Sequence, residues 1–456
     1  MNRRLRVVWA SPLRPVPSGV SAYAEDLIAR LGREVELTVT YDGFTPASDL
    51  SDWPLAVCPL AQLPALYARQ PQDLLVSHMG NNPHHEWIWR LMQRWRGLVV
   101  LHDTNYNHFL PGYYLRNIQP ERFLAAMLEH HGTAGHAFGC ELLAKVGTPA
   151  WKEFEPRLFE YTLTGPILDR ALRVIVHSDH AAAAVRSAAP VPVDVVPMNF
   201  VPNGGYLPPG SVLPSRFGLP DAVPLILSLG FVAPHKRLDR VIAALGVLHA
   251  QGRDFRLVIA GPATAEMGES LDRQAAASGL ADRVLRLGFI SDSEMYELLA
   301  AADMAVNLRY PTAGESSAAL IRLMGAGLPV LVTDHGASAE FPDDTVLKIR
   351  HGAEEHEQLC RLLASLMDHP AARRALGDRA RAQVLRENHI DAAVAAYLRV
   401  FEAAARDTSR PMLSRAAREF WPAIAPLADS AMFSPLVQRI AMRWADGGEI
   451  EPGQYF

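Results

Sequence analysis

Residues 307–340 read N-L-R-Y-P-T-A-G-E-S-S-A-A-L-I-R-L-M-G-A-G-L-P-V-L-V-T-D-H-G-A-S-A-E. Apolar residues from Met304 to Leu308 predict a short buried strand, a Pro/Thr/Ala/Gly loop follows, and Glu315 to Ala326 has helical spacing. A second strand, Pro329 to Thr333, ends in the polar turn Asp334, His335, Gly336. Two strand C-termini and one helix N-terminus are thereby expected to open onto one crevice. Unpaired N–H groups at a helix start favour phosphate, and Gly314 lets backbone approach a ligand closely.

The same alternation extends on both sides of this stretch. Strands are predicted at Leu225–Leu229, Arg256–Ala260, Val284–Leu287 and Val346–Ile349, with amphipathic segments between them. Earlier come Leu5–Ala10, Val35–Tyr41, Leu74–Ser77, Leu98–Leu101, Arg173–Val176 and Asp194–Val196, with a first helix over Val20–Leu31. Alternating β and α elements imply parallel sheets covered by helices on both faces. The loop-rich stretch Val201–Ser215 interrupts the rhythm. The expected architecture is α/β, two tandem doubly wound Rossmann-like domains: residues 1–204, a linker at 205–222, and residues 223–390. Residues 391–456 form C-terminal helices and a tail, expected to pack back on the N-terminal domain. In that tail Met432, Phe433, Leu436, Val437, Ile440, Ala441 and Trp444 share one helical face. Packing on the same chain, an oligomer contact and peripheral membrane attachment are open for this stripe.

Composition narrows the function classes. The chain has 456 residues, 49% hydrophobic and 20% charged, enough for two full cores. A net charge of -5 gives no general attraction to nucleic acid or acidic membranes. Three cysteines, Cys58, Cys140 and Cys360, lie far apart and argue against a disulfide framework. The apolar run after the basic start is only five residues long, and no run of about eighteen apolar residues follows. A cytoplasmic location is expected, with attachment at the inner membrane face as an open variant.

Four strand-end turns carry polar residues suited to chemistry. In P-V-P-S-G-V-S, Ser18 is a candidate cap and Gly19 a point of close approach to phosphate or sugar. L-H-D-T-N places His102 and Asp103 at a strand end, either as a capped surface turn or over a substrate hydroxyl. L-G-F-V-A-P-H-K-R-L-D places Lys236 and Arg237 where a helix is expected to begin, a poor position for cations unless an anion is present. In the opening stretch, Glu315 could accept from sugar hydroxyls while the N–H groups of Ser316 and Ser317 address phosphate. The helix expected at Trp87–Arg96 has an apolar face and a basic one, with contact to an anionic acceptor or lipid as the alternative to solvation. Eight of seventeen histidines fall between His78 and His136, yet no H-E-x-x-H pair and no D-x-D triplet occurs. No metal ligand set is assigned.

Taken together, S-P-L-R-P-V-P-S-G, V-V-L-H-D, V-I-V-H-S, H-K-R-L-D, I-A-G-P, L-G-F-I-S-D-S-E-M-Y-E-L-L-A-A-A-D and G-E-S-S…G-A-G-L-P-V-L-V-T-D-H-G-A-S-A-E resemble family-4 retaining glycosyltransferases of the GT-B fold, group 1. The resemblance covers roughly residues 6–401 and is strongest over 225–340. It implies a nucleotide-diphosphate sugar as co-substrate, held mainly by the C-terminal domain, an acceptor (glycan, lipid or protein) held mainly by the N-terminal domain, and no further cofactor. The implied catalytic residues are His102, Lys236 and Glu315. Donor contacts are assigned to Gly19, Arg237, Phe289, Gly314, Ser316, Ser317 and Arg322. Two departures stand out: Phe231 follows Gly230 where the family often has arginine, and Arg322 falls where a second, ribose-binding glutamate is common. Seven positions apart, Glu315 and Arg322 are expected on one helix face, about 10 Å apart along the axis. Arginine cannot accept hydrogen bonds from a ribose diol. A catalytically silent nucleotide-sugar-binding or partner protein is therefore the rival reading, and a metal hydrolase built on the histidines a third.

Overall fold

The computed structural model describes residues 3–47, 50, 53–148, 155–202, 205–221 and 223–406; the stripe at 432–444 lies outside the described residues. The chain divides into two compact units: Met1–Pro197 with Ala313–Glu315 and Ala393–Phe456, and Met198–Thr312 with Ser316–Ala392.

Unit 1 runs β1 (Arg6–Ala10), α1 (Gly19–Glu34), β2 (Glu36–Tyr41), β3 (Ala56–Pro59), α2 (Leu63–Arg69), β4 (Leu74–Met79), α3 (Glu86–Met92) and β5 (Gly97–Leu101). Then come α4 (Phe109–Arg116), α5 (Pro120–Ala144), α6 (Gly165–Leu168), β6 (Ala171–Val176), α7 (Asp179–Ala188) and β7 (Val193–Val195). The seven strands pair in parallel in the order β3-β2-β1-β4-β5-β6-β7. All five residues of β5 and four of five in β1 are buried, as strands covered on both faces require. Val8, Leu75, Val99 and Val174 from the sheet join one core with Ile88, Leu91, Phe109 and Phe123 from the helices. Ser18 caps α1 by accepting from the Val20 N–H, and Ser178 caps α7 through the Ala181 N–H.

Two sequence expectations shift here. Strand β3 was not anticipated, because its first two residues are exposed and its apolar signal is short. Helix α3 ends at Met92 rather than Arg96, since the chain must turn into β5, where Gly97 passes so close to Leu75 that an added Cβ would lie 2.4 Å from its carbonyl oxygen. Of the basic residues expected on this helix, Arg90 bonds Glu86 at 3.0 Å, and Arg96, beyond the helix end, donates to the carbonyl of Asp169; Arg90, Arg94 and Arg96 are all exposed.

Unit 2 contains β8 (Leu225–Leu229), α8 (Leu238–Ala250), β9 (Arg256–Ala260), α9 (Ala265–Ala277), β10 (Val284–Gly288), α10 (Asp292–Ala301) and β11 (Met304–Asn307). It continues with α11 (Ala318–Gly325), β12 (Val330–Thr333), β13 (Leu347–Ile349), α12 (Glu355–Asp368), α13 (Pro370–Glu387) and the start of α14 (Ile390–Arg406). Its six strands are parallel, ordered β10-β9-β8-β11-β12-β13. Ile226, Leu257 and Leu331 pack with Val241, Leu245 and Leu248 of α8 and Leu359 and Leu363 of α12. A Ser291–Glu294 capping box starts α10. Phe200 pairs with His389, and the Asn388 side chain donates to the Met198 carbonyl at 2.8 Å, anchoring the first residues of this unit to its last.

Strand order reverses between β1 and β4 in the first unit and between β8 and β11 in the second. In doubly wound sheets ligands bind beyond the strand C-termini at such points. Among the described residues no helix is long and apolar enough to cross a membrane.

Candidate functional site

In unit 2 the strand ends around β8 and β11 carry most of the expected donor residues. Gly230, at φ 107°, follows β8, and Gly261, at φ 152°, follows β9; a Cβ on Gly261 would fall 2.1 Å from the Gly230 carbonyl oxygen. Only glycine permits that approach, which shapes the loop leading to Lys236. Pro234–Lys236 is a 3₁₀ turn and α8 begins at Leu238, so Lys236 and Arg237 precede the helix rather than occupy its first turn. Lys236 is half-buried. Arg237, left-handed at φ 54°, forks onto Glu355: Nε donates to Oε1 at 2.5 Å and Nη2 to Oε2. Hydrogen bonding to Glu355 raises the guanidinium pKa. The cation expected to await an anion is thus neutralised by a carboxylate only 5% exposed. The Arg237 guanidinium also lies 5.8 Å from the Tyr310 ring centroid, and Tyr310 stacks on His351 at 3.7 Å.

The loop after β11 is organised by Arg309. Its N–H donates to Thr333 Oγ1 at 3.0 Å and its Nη2 to Ser317 Oγ at 3.1 Å. Ser317 in turn accepts from the Leu320 N–H at 3.1 Å and caps α11. The helix therefore starts at Ala318, not Glu315, because Ser317 favours the extended cap conformation over a helical one. Glu315 and Arg322 consequently do not share a helix, and the expected one-face relation does not hold. Ser316 Oγ is buried without a partner among the described residues, a polar atom available to a ligand. Arg322 is half-buried and its Nη1 lies 3.7 Å from the Met295 sulfur, a weak acceptor. Phe289, after β10, is 76% exposed, and Phe231, after β8, is 56% exposed.

The tip Ala313–Glu315 groups with unit 1. Glu315 accepts from the Ala313 N–H at 2.8 Å across Gly314, which has φ 79°. The Thr104 N–H donates to the Ala313 carbonyl at 2.7 Å, and a Cβ on Gly314 would fall 1.8 Å from Thr104 Oγ1. Gly314 is needed at this point for both its φ and its lack of a side chain.

At the sheet reversal of unit 1, imidazoles from three strand ends converge. His78 is the fifth residue of β4, His102 follows β5 and His177 follows β6. His78 Nδ1 and His102 Nε2 are 3.0 Å apart, and the His102 and His177 ring centroids are separated by 5.2 Å. Tyr23 of α1 lies edge-on to both His102 and His177 at 5.1 Å, while Trp9 of β1 lies 4.3 Å from His78. The Tyr23 hydroxyl meets that of Tyr397 from α14 at 2.8 Å. Burial holds His78 and His102 well below the ordinary imidazole range, reinforced by the neighbouring imidazoles. It lowers His85 and His177 to about 4. The cluster is neutral at physiological pH. Gly19, the first residue of α1, is exposed, with open space where a Cβ would stand.

The strand-end turn motif singles out His102 but not His78, His177, Tyr23 or Tyr397. The available signal was positional: each of the three histidines stands at or just beyond a strand C-terminus. Of the eight histidines between residues 78 and 136, His130 joins Glu129 and Asp169 in the one group of three closely spaced potential metal ligands among the described residues; two of its members are exposed.

Residues 213–383 match the family model for glycosyl transferases group 1. A 2-deoxystreptamine glucosyltransferase of Streptomyces kanamyceticus is 29% identical over 195 residues, covering 41% of this chain and 49% of that protein. A mannosylfructose-phosphate synthase of Agrobacterium fabrum is 23% identical over 284 residues, 55% of this chain and 59% of that protein. The chain thus spans about half the length of the curated relatives it matches. Among solved structures, Anabaena HepE in complex with UDP and glucose aligns with TM-score 0.61 at 16% identity, covering 87% of this chain and all of that one. Sucrose-phosphate synthase from Thermosynechococcus elongatus aligns with TM-score 0.59 at 17% identity, covering 88% and 99%. The fold is that of the GT-B glycosyltransferases: two parallel-sheet, Rossmann-like domains with helices.

Proposed function

We propose that this chain is a retaining, metal-independent glycosyltransferase that moves a hexose from a nucleotide diphosphate to a glycan, lipid or protein acceptor. One observation carries the reading: the family match at 213–383 falls on the unit whose strand ends present Lys236, buried Ser316 Oγ and the Ser317-capped start of α11. These groups suit a diphosphate. Lys236 supplies charge, and the first N–H groups of α11 supply preorganised donors for the charge that grows as the leaving group departs. With Arg237 committed to Glu355, its role in this reading is to hold the turn that carries Lys236. Glu315 accepts from the sugar hydroxyls, and His102 faces the reacting centre. Exposed Phe231 and Phe289 offer faces on which a base can stack.

In the transfer step the bond from the anomeric carbon to the phosphate oxygen breaks as the bond to the acceptor oxygen forms on the same face. The acceptor proton passes to the departing phosphate oxygen, so no protein nucleophile is required. UDP-sugars head the donor screen because HepE was solved with UDP and UDP-glucose. Thermal-shift screening with UDP-, GDP-, ADP- and dTDP-sugars is expected to reveal at least one stabilising donor, and slow hydrolysis of that donor is expected to vanish in Lys236→Ala and Glu315→Ala. Loss of turnover on chelation would remove metal independence. Arg322, resting on a thioether where a diol-binding carboxylate is expected, favours the silent-protein rival; donor binding without turnover across a broad acceptor screen would select it.

A further inference from the structure

We propose that His78 is a positioning residue that fixes the tautomer of His102, so that His102 meets substrate as a neutral hydrogen-bond donor through Nδ1–H. The proposal deepens the glycosyltransferase reading and rests on it for its catalytic meaning, though not for its structural test.

The geometry points to one proton arrangement. His78 is 0% exposed, and its Nε2 has no partner among the described residues. A proton on that nitrogen would be an orphaned N–H packed near Trp9, costing about 1–3 kcal/mol, whereas an unfilled acceptor is the better tolerated defect. The proton therefore sits on His78 Nδ1 and is donated across 3.0 Å to His102 Nε2. His102 Nε2 is then an acceptor, and the proton of this neutral ring resides on Nδ1. The backbone of His78 is itself held, because His85 Nδ1 donates to its carbonyl at 2.9 Å. Gly80 leaves room for that ring: a Cβ there would lie 2.8 Å from His85 Nε2.

Other groups around His102 do not compete for Nε2. Tyr23 approaches by its ring edge and engages Tyr397 with its hydroxyl, and His177 spends Nδ1–H on the Val196 carbonyl at 2.8 Å. Asp103, the next residue, accepts from the Asn81 N–H at 2.7 Å. The chemical consequence is specific. A neutral imidazole with Nδ1–H can donate to a sugar hydroxyl or the departing oxygen, but it cannot take a proton through that nitrogen. His102 is thereby excluded as a general base acting through Nδ1, in keeping with proton transfer to the leaving phosphate.

The test uses the full chain with ¹⁵N-labelled histidine and long-range proton–nitrogen correlation at pH 7.5. The His102 signals are assigned by their loss in His102→Asn. The expected result is a neutral His102 ring protonated on Nδ1. His78→Gln, whose amide can still donate, is expected to preserve that pattern, while His78→Phe converts it to a mixture or to Nε2–H. Donor turnover is expected to fall roughly tenfold or more in His78→Phe, through kcat rather than KM, and to recover in His78→Gln. A proton on Nε2 in the wild-type protein, or an unchanged pattern in His78→Phe, overturns the proposal. If His78→Phe does not fold, the wild-type pattern and its retention in His78→Gln decide the matter. Should no donor ever be turned over while the Nδ1–H pattern holds, the catalytic reading fails and the tautomer assignment stands.

Discussion

Lowering the pH from 7.5 to 5.5 is expected to destabilise unit 1 well before its carboxylates titrate. His85 and His177 are buried, neutral and titrate near pH 4 in the folded state, against about 6.5 in the unfolded chain. Between those values the unfolded chain binds more protons, so stability rises with pH and is lost as pH falls below about 6.5. Over two pH units each imidazole removes about 1.3 kcal/mol, and the pair about 2.7 kcal/mol, with a slope near 1.2 kcal/mol per pH unit per histidine around pH 5.5. His78 and His102 act in the same direction. Carboxylates such as Glu155, held near 2 by Arg157 and Lys145, stabilise the fold above the ordinary carboxylate range and lose that contribution only at more acid pH. The assay is urea unfolding followed by tryptophan fluorescence. No tryptophan occurs between residues 198 and 392, so unit 2 contributes none to the signal, whereas Trp9, Trp53, Trp87, Trp89 and Trp95 lie in unit 1. His177→Gln and His85→Gln, whose amides can replace the ring N–H bonds to the Val196 and His78 carbonyls, should each flatten the slope by about one histidine's share. Equal stability at both pH values, or slopes unchanged in both variants, would refute the assignment of neutral buried imidazoles.

Three further perturbations address unit 2. Arg237→Ala strands the buried Glu355 carboxylate and should cost about 3–5 kcal/mol, seen as faster hydrogen exchange over α8 and α12; Arg237→Met with Glu355→Leu should recover most of it. Gly261→Ala drives a Cβ into the Gly230 carbonyl at an unfavourable φ and should destabilise the unit on the order of 2 kcal/mol or more, with weaker donor binding in titration calorimetry. Arg322→Glu replaces a cation with an anion, and hydrogen bonds to a charged group contribute about 1.5–3 kcal/mol, so the dissociation constant of a nucleotide-diphosphate donor should rise roughly tenfold or more; no change would show that this side chain does not meet the donor.

The fold was legible because most strands of the two parallel sheets carry a short, largely apolar run, with β3 the exception. Leu225–Leu229 and Arg256–Ala260 are observed as read, and most other boundaries move by one or two residues. Helix α11 is the informative exception. Periodicity extends back to Glu315, yet Arg309 and the Leu320 N–H both converge on Ser317 Oγ and fix it as the cap. Those partners are three and eight residues away from Ser317, one of them on a preceding loop, so helical spacing alone does not contain them. Arg237 repeats the lesson at longer range. Its partner Glu355 is 118 residues distant, and a sequence shows two adjacent cations without showing what either one is paired with.

That pairing changes how unit 2 handles charge. Arg253 lies on Asp368, Arg286 on Asp272, Arg373 on Asp303 and Arg237 on Glu355, all within hydrogen-bond reach. Arg322, half-buried on α11, has only the Met295 sulfur among the described residues. A half-buried guanidinium carries a desolvation cost that a thioether does not offset. An anionic ligand at α11 would relieve that cost as well as satisfy the helix N–H groups, whereas a neutral diol presented to Arg322 could use only its oxygens as acceptors. The arginine therefore suits recognition of a charged group at this position rather than of a ribose diol. Measured against increasing salt, donor affinity should then fall more steeply in the native protein than in Arg322→Gln, because only the native side chain adds a screened attraction.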